Sequence, residues 1–113
     1  MRTVLILVAF LFASSASAEQ IPYNSKITMK VGQTVTLKGV RTRCNGTRAP
    51  RYFAIRGKFP KVNIGEFKDG GAGTVLSKSC GKEVPGRAVL FKATKKGRAE
   101  FELYKDTFVI TVR

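Results

Sequence analysis

The chain has 113 residues, with 21 Lys or Arg against 7 Asp or Glu, no histidine, no tryptophan and a formal net charge of +14. Without histidine the commonest general base and the commonest nitrogen metal ligand are missing. Two cysteines cannot build a four-thiolate zinc site, so neither an enzyme nor a metal or cofactor site is expected.

Residues 1–18 read as a cleaved signal peptide. Arg2 supplies the positive n-region, Val4 to Ala13 is an apolar run, and Ala16 and Ala18 are the small residues of an A-x-A site, so cleavage is expected after Ala18. The apolar run falls short of the roughly 20 residues that span a bilayer. No cysteine close behind the site invites a lipid anchor, and no later segment is apolar enough to span a membrane. Residues 19–113 are then one small exported domain, secreted or periplasmic. Cys44 and Cys80 are its only cysteines, and oxidising conditions outside the cytoplasm predict a Cys44–Cys80 disulfide. A covalent staple helps a core of this size, by roughly 3–4 kcal/mol in the chain-entropy model.

In chain order the elements read as strands. "KITMKV" turns Ile27, Met29 and Val31 to one face, and after a Gly32-Gln33 break "TVTLKG" does the same with Val35 and Leu37. "YFAIRG" offers Phe53 and Ile55, "KVNIGEF" offers Val62 and Ile64, and "RAVLFKAT" offers Val89, Phe91 and Ala93. A "KKG" turn leads into "RAEFELY" with Ala99, Phe101 and Leu103, and a "KDT" turn into "FVITVR" with Phe108, Ile110 and Val112. Period-two alternation of β-branched and aromatic residues, broken by glycine turns, is the pattern of half-buried antiparallel strands. About seven such strands predict an all-β sandwich with Val35, Leu37, Phe53, Ile55, Phe91, Phe101, Leu103 and Ile110 in one core.

"VGQTVTLKG" and "FKATKKGRAEFELY" resemble the strand openings and the Lys-Gly hairpin of bacterial immunoglobulin-like domains. The resemblance implies an immunoglobulin-like antiparallel sandwich. The antibody-type Cys, Trp, Cys hallmark is absent, and Cys44 follows the second strand, so the bridge is expected to join loops. "DGGAG", "FKATKKGRAEFELY" and "FVITV", in that order, also resemble chagasin-type inhibitors of cysteine peptidases. That family's first contact loop is echoed only by "NGTRAPRY", and its Arg-Pro-Trp loop has no counterpart in "YKDTF".

Charge carries the functional signal. Between Gln20 and Gly65 stand ten Lys or Arg and no acid. An unbalanced block of this kind repels itself and implies attraction to an acidic partner. "RTRCNGTRAPR" concentrates it: Arg41, Arg43, Arg48 and Arg51 surround Cys44, and the bridge to Cys80 is expected to bring them to Lys78, Lys82 and Arg87. Arginine's planar fork suits phosphate, sulfate and carboxylate. Tyr52, and Phe59 nearby, are expected to offer stacking faces.

Other motifs carry less. Glu100 and Glu102 stand two apart, as the paired acids of a small hydrolase would, but are read as solvated residues facing lysines across the sheet. "DGGAG" is read as a flexible loop before a phosphate nest. "NGT" at Asn45 fits a glycosylation sequon, which matters only in a eukaryotic secretory pathway. The expected function is a non-enzymatic binding module for an anionic partner: an acidic protein, an acidic glycan or an envelope component. A protein inhibitor or immunity-type factor acting through loops at one end is the alternative, and a small hydrolase ranks last. Nucleic acid ranks low, because export removes its usual targets and no reading motif is present. Peripheral contact with an anionic envelope surface needs no transmembrane anchor.

Overall fold

The computed structural model describes residues 19–113, and the predicted signal peptide, residues 1–18, lies outside the described residues. The alternating segments form strands β1 (Lys26–Met29), β2 (Thr34–Arg41), β3 (Gly65–Ser77), β4 (Lys82–Ala93), β5 (Gly97–Leu103) and β6 (Asp106–Val112). A short helix α1 (Tyr52–Ile55), followed by a 3₁₀ turn Arg56–Lys58, lies between β2 and β3. One sheet has the order β1-β6-β5 and the other β2-β4-β3. Among the described residues the strands pair antiparallel except β1 with β6, which is parallel, as is the isolated bridge Gln20–Thr74.

Both sheets contribute to one core: Met29, Ile110 and Val112 from the first meet Leu37, Val89 and Phe91 from the second. A run of aromatic contacts crosses it, with Phe67 edge-on to Phe91 at 5.5 Å and to Phe101 at 5.7 Å between ring centroids. Phe91 and Phe108 are fully buried, and Phe101 is half-buried. Among the described residues no helix is long and apolar enough to cross a membrane.

Several sequence-based expectations need correction. "YFAIRG" is helical, so Ile55 is buried while Phe53 stands 63% exposed. The reason lies in the spacing: Tyr52, Ile55 and Phe59 recur at helical intervals and all pack against the core. Tyr104 Oη completes the turn by donating to the Ile55 carbonyl at 2.9 Å. Six strands are therefore present among the described residues, not seven. "KVNIGEF" becomes strand only from Gly65. The Lys95–Lys96 turn joins strands of different sheets, so "FKATKKGRAEFELY" is a crossover and no hairpin. The β5–β6 turn is Tyr104–Lys105, both at positive φ (48° and 70°), with Asp106 already in β6. "DGGAG" is no flexible loop, for it lies inside β3 at a bulge between Asp69 and Ala72. There Gly71 takes φ 88° and donates its N–H to Asp69 Oδ1 at 2.8 Å. Glu100 and Glu102 oppose Val109 and Thr107 rather than lysines.

Strands β3 and β4, of 13 and 12 residues, are nearly twice as long as β5 and β6 at 7 each. The distal half of this hairpin is packed separately, since Val84 and Ala88 are buried but stand outside the main core cluster. Close approach there depends on glycine. A Cβ at Gly39 would sit 2.6 Å from Val75 Cγ2 and 2.8 Å from Ile21 Cδ1. Gly39→Val is expected to cost roughly 1–3 kcal/mol through overpacking. The midpoint of urea unfolding measures it, and adding Val75→Ala should restore part of the loss.

Candidate functional site: a basic cleft beside the disulfide

The cleft grows from the distal end of the long hairpin. A register shift between Thr36 and Lys38 marks a bulge in β2, and beyond it Val40 becomes the next buried residue after Leu37. Lys38 thereby reaches the other sheet, where its Nζ bonds Asp106 Oδ2 at 2.6 Å and the Tyr104 carbonyl at 3.3 Å. The N-terminal segment closes another side: Thr74 N–H donates to the Glu19 carbonyl at 2.9 Å, and Ile21 N–H to the Thr74 carbonyl at 2.8 Å. The result is a cleft of about 910 Å³, lined by the N-terminal segment, the ends of β2 and β3 and the β5–β6 turn.

Cys44 and Cys80 are bridged as expected, with Cα atoms 5.3 Å apart. The bridge ties the loop after β2 to the β3–β4 turn. Two hydrogen bonds support it: Thr42 N–H donates to the Pro85 carbonyl at 2.9 Å, and Arg87 Nε to the Pro50 carbonyl at 2.9 Å.

The predicted cluster divides into parts. Arg41, Arg43 and Lys78 line the cleft together. Arg41 bonds the Thr42 carbonyl at 2.9 Å and Ser79 Oγ at 3.3 Å, which uses two of a guanidinium's five donors and leaves the rest for an anion. Arg48 and Arg51 are exposed but line no part of this cleft, and Arg51 stands over the Phe53 ring, 6.0 Å from its centroid. Lys82 is exposed at the start of β4, also outside the lining. Arg87 is a strap: besides Pro50 it holds Asp69 Oδ1 at 3.5 Å, with its side chain only 20% exposed. Tyr52 lies outside this cleft: it packs edge-on against Phe59 at 5.7 Å, both rings lean on the core, and both line a separate cleft with Arg56 and Lys61.

Sequence reasoning missed the far wall. Tyr23 and Leu76, 56% and 60% exposed, and the Lys38–Asp106 pair also line the cleft. Partial desolvation first, and then the Asp106 carboxylate, raise the Tyr23 phenol above its ordinary pKa. No local pattern marks these residues, since they meet only through the packing of the two sheets.

No protein-family model, curated protein or solved structure matches the chain. What the cleft can bind follows from its own groups. Arg41, Arg43 and Lys78 attract an anion, and Ile21, Val75 and Leu76 in the same lining give an apolar wall to the body that carries it.

Proposed function

We propose that the chain is an exported, non-enzymatic binding module, secreted or periplasmic, with an immunoglobulin-like β-sandwich presenting a basic cleft to an anionic partner. The partner classes are an acidic glycan, an acidic protein or an anionic envelope component. The observation that carries this reading is the convergence of Arg41 and Arg43 with Lys78, 35 or more residues away in sequence, on one cleft beside the Cys44–Cys80 bridge. A pinned site loses less conformational entropy on binding than a free loop does. The disulfide itself fits an extracellular or periplasmic setting. Against the inhibitor alternative stands the two-residue β5–β6 turn, which leaves no room for a third contact loop.

The test compares two double charge reversals of equal net charge. Lys95 and Lys96 lie at the opposite end of β4 from the disulfide, eleven residues along the strand and so roughly 35 Å away. Arg41→Glu with Arg43→Glu is expected to weaken binding of a heparin fragment or of poly-glutamate at least tenfold more than Lys95→Glu with Lys96→Glu. Calorimetric titration reads both. Affinity should also fall steeply between about 0.1 M and about 1 M salt, as the Debye length shrinks from about 10 to about 3 Å. Equal losses in the two variants would mean a diffuse cationic field and no site.

A further inference from the structure

The helical turn between β2 and β3 presents a second surface, distinct from the cleft. Its inner face buries Ile55 and leans Tyr52 and Phe59 on the core, while Phe53 projects outward, 63% exposed. Among the described residues this ring takes no part in the hydrophobic core. Arg51 stands over it, 6.0 Å from its centroid, and Arg56, three residues on, is also exposed and lines the adjoining cleft on the Tyr52 side of the turn. Exposed Arg48, Lys58 and Lys61 flank the turn on either side. Between Thr42 and Ile64 there are six Lys or Arg and no acid. Glu66 is the acid that shares a cleft with Arg56 and Lys61, and it is already paired with Lys68 at 3.2 Å. Phe53 does not line that cleft, which opens on the Tyr52 and Phe59 side of the turn.

We propose that this turn docks the protein on an anionic phospholipid surface, with Phe53 entering the headgroup boundary and Arg51, Arg56 and Lys58 meeting lipid phosphates. The arrangement matches what such a surface requires. An aromatic ring sits comfortably where acyl chains meet headgroups, and cations around it pair with phosphate without leaving water. The charges stand on both sides of Phe53 along the chain, and of them only Arg56 and Lys61 share a cleft. A continuous sheet of phosphates satisfies such a spread without any matched spacing. One ring and a few cations give reversible, salt-sensitive attachment, with each cation near the surface contributing about fivefold in partitioning.

The chain has no tryptophan, so Phe53→Trp gives a single reporter without background. Its emission is expected to shift to the blue with vesicles containing phosphatidylglycerol and to stay unmoved with phosphatidylcholine alone or with inorganic phosphate. Val31→Trp, at an exposed turn between β1 and β2, should not shift with either. In co-sedimentation of the otherwise unaltered chain with phosphatidylglycerol vesicles, Phe53→Ser should lower the partition coefficient about tenfold. Arg51→Glu with Arg56→Glu should lower it at least twentyfold. Reversal of Arg41 and Arg43, or of Lys95 and Lys96, changes net charge equally and should cost several-fold less. Failure of the cleft to bind soluble polyanions would leave these outcomes untouched, so the two surfaces are tested separately. The proposal is overturned if Phe53→Trp does not shift, if Phe53→Ser binds vesicles as well as the parent, or if the three charge reversals lose binding equally.

Discussion

Phe91→Ala is expected to lower the thermal unfolding midpoint by about 15–25 °C. Phe91 is fully buried, lies near the end of β4, the middle strand of its sheet, and touches rings from both sheets, with Phe67 at 5.5 Å and Phe101 at 6.3 Å between centroids. Truncating such a ring removes its transfer free energy and leaves a cavity that a stiff β-core fills poorly, a loss of roughly 3–5 kcal/mol. A domain of this size loses about 5 °C per kcal/mol, which gives the quoted shift. Calorimetry or circular dichroism at matched heating rates checks it. Phe53→Ala is the control: the same chemical change at a 63% exposed ring should move the midpoint by no more than about 3 °C. Equal shifts at the two positions would contradict the helical placement of Phe53.

The second large effect belongs to the staple. Cys44 and Cys80 are 36 residues apart, and closing a loop of that length removes unfolded-chain entropy worth about 4 kcal/mol. Cys44→Ser with Cys80→Ser should therefore lower the chemical denaturation midpoint by a large fraction of its value, given a total stability of about 5–15 kcal/mol. The β-dominated circular-dichroism spectrum should persist at temperatures where the variant still folds, because both sheets are built from residues outside the bridge. Polyanion affinity should fall as well, since release of the β3–β4 turn separates Lys78 from Arg41 and Arg43. The variant would then show two losses of different origin. Stability falls through the unfolded state, and affinity falls through the ordering that binding must newly impose. Intact polyanion affinity in the folded double-serine variant would mean that the bridge contributes stability alone.

The charge of the candidate cleft is legible in the sequence, but only as composition. The Arg41–Arg51 segment announces a cationic surface because its charges are unbalanced by any neighbouring acid. It does not announce which charges will converge. Arg41 and Arg43 reach the cleft because β2 ends there. Arg48 and Arg51 lead away into the helical turn, and Arg87 is drawn in by Asp69 and the Pro50 carbonyl. The sequence pattern misplaces Phe53 because "YFAIRG" satisfies two periods at once. Phe53 and Ile55 alternate as in a strand, while Tyr52, Ile55 and Phe59 recur as in a helix, and a short apolar run does not decide between them. The decision came from what lay above the segment, namely Phe67 and Tyr104 ready to receive Phe59 at 5.0 and 6.3 Å.

The sequence by itself determined that this chain is β-rich, which residues of β4, β5 and β6 turn inward, and that Cys44 pairs with Cys80. Each of these follows from local chemistry: strand side chains alternate at every residue, and two cysteines allow a single intramolecular bridge. The tertiary structure alone decided that β1 runs parallel beside β6, that β4 and β5 part into different sheets, and that Lys38 crosses to Asp106. Alternation states that a face will be buried but not against what. The partner is chosen by long-range packing and by register shifts such as those at Thr36/Lys38 and Asp69/Ala72, which local pattern does not encode. For the same reason the charge was legible residue by residue, whereas the cleft existed only once the N-terminal segment, two strand ends and a turn had been brought together.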